Sequence, residues 1–312
     1  MNDSSLKRFL VKYYEITHLK IASISHFVKL RLFYRLNIMT SEKTLNYILK
    51  HKCSIARYGD GEFAQILSKY NIGFQSYSSK LSEKLSETLC SDDPNLLICI
   101  PKYLSTVRKC NKTARQFWLG WGKKNNQQII ITKLLRSYRG RNYLFGDALI
   151  TRPYMDLKSK KHAVTVFSLL KKLWDNRHIL IVEGKETRLG VGNDLFSNAK
   201  SVSRILAPSK NAFNSYDEIL ATTKAHYKNH LVLIALGPTA TVLAADLSKR
   251  GIQALDVGHI DIEYEWYLRN ASEKIKIPGK FTNEVFYNSN ITPCEDPNYL
   301  SEVVCSIFPN DN

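Results

Sequence analysis

Three runs in this sequence, Leu96-Leu97-Ile98-Cys99-Ile100, Ile179-Leu180-Ile181-Val182 and Leu231-Val232-Leu233-Ile234-Ala235-Leu236, are continuously apolar rather than alternating. A strand without a polar face is covered by protein on both sides, the condition of parallel sheets in α/β proteins. Shorter runs extend the series, with strands expected at 53–58, 95–100, 143–150, 178–183, 202–207, 230–236 and 252–257. Helical stretches fall between them at 79–91, 111–137 in one or two pieces, 159–176, 190–199, 216–228 and 238–250. A further short helix opens at Thr40-Ser41-Glu42-Lys43 and runs to about Lys50, with Ser41 expected as its N-cap. This repetition predicts an α/β fold with a mostly parallel, doubly wound, Rossmann-like sheet flanked by helices. The expected organisation is one domain over 41–288, a basic helical extension over 1–40, and a loose tail over 289–312 with one short helix near 297–307.

Charge bears on partners. The chain carries a formal net charge of +17, which suits nucleic acid, an anionic membrane surface or phosphorylated small substrates. No zinc finger or RRM signature is present and the basic residues are scattered, so nucleic acid is not the expected partner. The leader 5–37 mixes lysines and arginines with aromatics at near-helical spacing. It suits peripheral contact with an anionic bilayer as well as it suits packing on the domain with a solvated basic face. No long apolar run and no signal-peptide pattern occur, which places the protein in the cytoplasm, with a peripheral position at the inner face of the membrane left open. The six cysteines show no CxxC pair or zinc spacing, so disulfides are not expected.

In open α/β sheets ligands bind beyond the carboxyl ends of the strands. Here those ends collect glycine, arginine, carboxylate and histidine. The first strand runs into Arg57-Tyr58-Gly59-Asp60-Gly61-Glu62, two carboxylates separated by a glycine that lets the chain bend. Oxygen ligation of this kind suits Mg²⁺ or Mn²⁺ on a nucleotide, although an isolated Asp-Gly turn is common enough to mean nothing. Arg152 follows the strand at 143–150. Arg188, Gly190, Gly192, Asn193 and Asp194 follow Glu183, where turn amides and a helix start would face a phosphate. Asn211, then Gly237 with Thr239 and Thr241, occupy the next two ends, and His259, Asp261 and Glu263 the last. The glycines serve equally for close helix–strand packing. Arg152 and Arg188 offer bidentate contacts to a diphosphate. His259 or one of Glu183, Asp261 and Glu263 offers an acid/base group.

With these motifs in this order the chain resembles the GT-D fold glycosyltransferases of bacterial polysaccharide and adhesin-glycosylation loci. The resemblance covers most of residues 54–285 and rests on Arg57-Tyr58-Gly59-Asp60-Gly61-Glu62-Phe63, Ile181-Val182-Glu183-Gly184 with Arg188-Leu189-Gly190-Val191-Gly192-Asn193-Asp194-Leu195-Phe196, Asn211-Ala212-Phe213, Ala235-Leu236-Gly237-Pro238-Thr239-Ala240-Thr241 and Asp256-Val257-Gly258-His259-Ile260-Asp261-Ile262-Glu263-Tyr264-Glu265-Trp266. It matches Asp60-Gly61-Glu62 to the family's DXE motif and implies a metal and a UDP-sugar donor, with glucose the expected sugar; the glycan acceptor stays open between a protein-linked glycan, a lipid-linked oligosaccharide and a capsule repeat unit. Two other classes remain open on the residues alone: a phosphoryl-transfer or phosphohydrolase enzyme using the same carboxylates, and a basic membrane- or nucleic-acid-binding protein indifferent to them.

Overall fold

The computed structural model describes residues 36–123, 127–140, 142–282, 285 and 292–308. Among them lie nine strands in one sheet, in the order β1-β4-β3-β2-β8-β7-β5-β6-β9, with every pair parallel. The strands are β1 (Asn37–Ile38), β2 (Ser54–Arg57), β3 (Leu96–Ile100), β4 (Leu144–Asp147), β5 (His178–Gly184), β6 (Ser201–Ala207), β7 (Leu231–Ala235), β8 (Ala254–Asp256) and β9 (Val303–Ser306).

The apolar runs are two-faced, as expected. Leu180, Val182, Val232 and Ile234 enter one core with α2 (Asp60–Leu67), α3 (Ser79–Cys90), α5 (Gln127–Arg139), α7 (Tyr216–His226) and α8 (Pro238–Ser248). Ile179, Ile181, Leu231 and Leu233 enter a second core with α1 (Ser41–His51), α6 (Lys161–Trp174) and α9 (Ile260–Leu268). Successive strand residues point to opposite faces, so a run without polar residues feeds both layers. Helix α4 (Lys112–Lys123) forms a satellite core with Tyr103 and Leu149 through Ala114 and Trp118.

Four local readings are corrected. Thr40, not Ser41, caps α1: its extended backbone lets the hydroxyl accept from the Lys43 amide, while the Ser41 hydroxyl donates to Asp147 at 2.8 Å. The strand expected to reach 150 ends at Asp147, whose carboxylate accepts the Leu149 amide and turns the chain into a 3-10 segment over Ala148–Thr151. No helix forms over 190–199. Arg188, Gly190 and Gly192 all adopt positive φ (51°, 75° and 75°), which breaks a right-handed helix at alternate residues. Asn193 then accepts from the Leu195 amide and holds a turn instead.

The segment after 289, expected as a loose extension with one helix, instead closes the sheet. Asp296 caps α10 (Pro297–Glu302), and Val303–Ser306 pairs with β6. Buried Tyr299 and Ile307 anchor it, and Glu302 meets the Arg204 Nε at 2.6 Å. The leader lies almost wholly outside the described residues. No helix among those described is long and apolar enough to cross a membrane.

Candidate functional site

The sheet order sets where a site forms. From β2 the chain moves outward to β3 and β4, whereas from β8 it leaves for β9 at the far opposite edge. Neighbouring strands whose connections diverge leave a crevice beyond their carboxyl ends, here between Arg57 and Asp256.

Arg57 locks the floor of that crevice. Its Nε donates to the Asp256 carbonyl at 2.7 Å and its Nη2 to Asp256 Oδ1 at 2.8 Å. Nη1 donates to Thr151 Oγ1 at 2.7 Å and to the Ala148 carbonyl at 3.2 Å, so one guanidinium ties together the ends of β2, β8 and β4. Gly258 makes room for it: φ is 41° there, and a Cβ would stand 2.0 Å from Nη2. The Thr241 hydroxyl, at the start of α8, donates back to the Arg57 carbonyl at 2.8 Å. Burial raises the Asp256 carboxyl above its ordinary value, against the pull of Arg57.

Asp60 and Glu62 stand at the rim, in the first turn of α2. Glu62 folds back so that Oε2 accepts the Gly59 amide at 2.6 Å. Burial, then the charges of Asp256 and Asp60, push the Glu62 carboxyl up to about 7. Asp60 is exposed, with no hydrogen bond or ion pair among the described residues. In this conformation the two carboxylates diverge, as residues two apart on a helix do.

The other expected site residues fall into two groups. Around the end of β5, charges are spent on the fold. Glu183 pairs with Arg204 at 2.7 Å and accepts the Leu189 amide at 2.7 Å. Asp261 takes Lys280 at 2.6 Å, the Gly190 amide at 2.9 Å and the Asn193 side chain at 2.8 Å. Arg188, 7% exposed, donates to the carbonyls of Gly279 and Thr292. The Gly190 amide and the Arg188 guanidinium, expected to face a diphosphate, are therefore taken up by protein partners. Asp194 holds Lys171 and the Tyr264 hydroxyl. Gly192 is exposed, with open space around it.

The second group surrounds the crevice. Residues 71–78 form a roof: Asn211 Oδ1 accepts the Ser76 amide at 2.7 Å, and Phe74 packs where a Cβ on Gly237 (φ 55°) would lie 2.2 Å from its ring. Thr239 is buried, with its hydroxyl unpartnered. His259 stands at the N-cap position of α9, without a side-chain capping bond, and is half-buried. Arg152 is half-buried beside Glu263 and opposes the rise in its pKa. Glu263 is sealed, one oxygen accepting the Tyr154 and Met155 amides at 2.9 Å each and the other unpartnered.

Burial pushes the Glu263 carboxyl up to about 7. The folded pKa stands above the unfolded one (~4.3), so the group favours folding below pH ~4 and loses that contribution as pH rises to about 7. Glu263→Gln, which carries no charge to desolvate, is expected to gain stability over the parent at pH 8 by about 1–3 kcal/mol and to gain nothing at pH 4. Urea denaturation at the two pH values reads the difference.

Over residues 55–285 the sequence matches the family model "Glycosyltransferase GT-D fold". The chain belongs to the GT-D family. A solved structure described as a domain of unknown function 1792 with a distinct glycosyltransferase fold is 38% identical, with a TM-score of 0.83 over 90% of this chain and 99% of that one. A further one, described as a new glycosyltransferase from Streptococcus sanguinis, is 35% identical with a TM-score of 0.78, covering 88% of this chain and 100% of that one. Among curated proteins the GT-D chain is 37% identical over 88% of its length to "Probable glycosyl transferase Gly" of Streptococcus gordonii. It is 35% identical over 86% of its length to "Glycosyltransferase GlyD" of Streptococcus pneumoniae serotype 4. The chain spans only 39% and 32% of those two relatives.

The GT-D resemblance implies a divalent cation, and the rim residues fit one. Their donors are carboxylate oxygens, Asp60 is open to solvent, and the burial and negative neighbours that hold the Glu62 carboxyl near 7 are what a cation relieves. Among the described residues no group of three potential ligands gathers, so water and phosphate oxygens would complete the shell, as is usual for Mg²⁺. Sequence reasoning gave no role to Asp256 and Thr151, although both stand in the strand-end motifs, and did not single out Lys280. Asp256 sits two residues before Gly258 at a strand end, which was the available signal; Thr151 and Lys280 matter only through partners remote in sequence.

Proposed function

We propose that this chain is a metal-dependent glycosyltransferase that moves a hexose, expected to be glucose, from a UDP-sugar to a hydroxyl of a protein-linked or lipid-linked glycan. The observation that carries the reading is the placement of Asp60 and Glu62 at the switch-point crevice, where Asp60 alone among the acidic candidates is exposed and unengaged. Mn²⁺ or Mg²⁺ bound there would neutralise charge on the departing UDP. Asp60 would hold the cation, and Glu62, which diverges from it while bonded to the Gly59 amide, would reach it through water or after turning from that amide. Arg57 and Asp256 keep the crevice floor fixed, so binding need not reorganise it.

For the acceptor proton, Glu183, Asp261 and Glu263 are fully buried, whereas His259, at the start of α9, is only half-buried. Its imidazole would serve as the base if the reaction inverts. The test is mass spectrometry of products from UDP-glucose, Mn²⁺ and a glycan acceptor. Acceptor heavier by one hexose supports the reading. Release of inorganic phosphate without transfer points instead to a phosphohydrolase on the same carboxylates.

A further inference from the structure

Between Pro94 and Gly146 the sequence holds eleven lysines and arginines and no aspartate or glutamate. This stretch runs through β3, the following loop, and the α4–α5 pair. On the described part Arg108, Lys109, Lys112, Arg115 and Lys133 are exposed. So are two large apolar side chains on the same pair of helices, Phe117 at 50% and Ile130 at 45%. Helix α4 buries the opposite stripe, Ala114 and Trp118, against Tyr103 and Leu149. One side of α4 therefore packs on the domain, while Lys112, Arg115 and Phe117 are spread over its exposed arc.

We propose that the α4–α5 pair is a docking surface for an anionic lipid bilayer. Charge complementarity selects the partner: a basic stretch with no acid of its own is drawn to anionic headgroups, and the exposed Phe117 and Ile130 insert at the headgroup–acyl boundary. An aliphatic side chain such as Ile130 has no stacking role on a nucleic acid, which favours lipid over a polynucleotide.

The position gives docking a consequence. Trp121 of α4 contacts the ring of Phe63 in α2, the helix that carries Asp60 and Glu62, with centroids 6.4 Å apart. The amide of Asn111, just before α4, bonds the Asp156 carbonyl in the loop after β4, so α4 begins at the carboxyl edge of the sheet. A bilayer held by α4–α5 lies beside the crevice rather than behind the molecule. The proposal does not depend on sugar transfer; it concerns a surface outside the leader 5–37.

The test uses the full chain and co-sedimentation with phosphatidylglycerol vesicles, against phosphatidylcholine vesicles and duplex DNA. Lys112→Glu with Arg115→Glu is expected to lower partition by about fivefold or more per residue. Phe117→Ser with Ile130→Ser is expected to lower it further without altering the circular dichroism. Lys228→Glu with Lys249→Glu carries the same charge change at the opposite edge of the sheet and is expected to leave partition within twofold or so of the parent. The proposal is overturned by equal losses in the two charge-reversed pairs, by equal binding to phosphatidylcholine, or by DNA binding that matches the vesicles in strength and in dependence on α4.

Discussion

Asp60→Ala is expected to reduce sugar transfer by about 100-fold or more while the melting temperature stays at the parent value. The kinetic effect follows from removing the exposed ligand of a cation that supplies several kcal/mol of charge stabilisation, each 1.4 kcal/mol being about tenfold in rate. The stability expectation follows from position: Asp60 is exposed and bonded to nothing among the described residues, and substitutions of that kind stay within about 0.5 kcal/mol. Glu62→Ala behaves differently. It also frees the Gly59 amide that Glu62 holds at 2.6 Å, so it costs about 1 kcal/mol of capping as well as activity. Transfer kinetics with calorimetry on both variants separates the two effects. Parent-level activity in Asp60→Ala sinks the site.

The second large effect is on stability. Arg57→Met leaves Asp256 buried without its counter-ion, their side chains being 14% and 4% exposed, and strands the acceptors at Thr151 and Ala148. Breaking a buried pair from one side costs about 3–5 kcal/mol. For a domain of this size that lowers the melting temperature by roughly 10 °C. Adding Asp256→Asn removes the orphaned charge and is expected to recover part of the loss. If Arg57 instead contacted the donor and nothing else, Arg57→Met would raise KM at constant stability and the second substitution would rescue nothing.

The sheet was legible in the sequence because parallel strands covered on both faces cannot hide: Leu96–Ile100 and Leu231–Ala235 contain no polar residue to confuse with a surface. β9 was not legible. Its residues Val303–Ser306 are only half covered, and the composition around them is that of a loop. What makes them a strand is backbone pairing with β6, beside which Arg204 reaches Glu302 from nearly a hundred residues away. The turn at 188–194 deceived for a related reason. Its glycines were read for anion binding, but their positive φ serves to present the Gly190 amide to Asp261, a pairing that no local pattern announces.

The site was legible in its location and only partly in its roles. Strand ends rich in Gly, Arg and carboxylate did mark the carboxyl edge of the sheet. Sequence could not say which charges are free and which are consumed, since that depends on partners such as Lys280 and Asp256 brought in by the fold. Of the acidic residues singled out at the strand ends, burial and pairing remove Glu183, Asp261 and Glu263 from solvent and leave Asp60 accessible.

The measurement that bears most directly on the central claim is thermal stability with UDP-glucose, in Mn²⁺ and in EDTA, for the parent and Asp60→Ala. A ligand at ~100 times its dissociation constant adds about 2.7 kcal/mol to the folded state, a shift of several degrees. Stabilisation that requires Mn²⁺ and disappears in Asp60→Ala is the predicted result. Stabilisation of equal size in EDTA, or retained in full by Asp60→Ala, contradicts a cation-held nucleotide sugar at the end of β2.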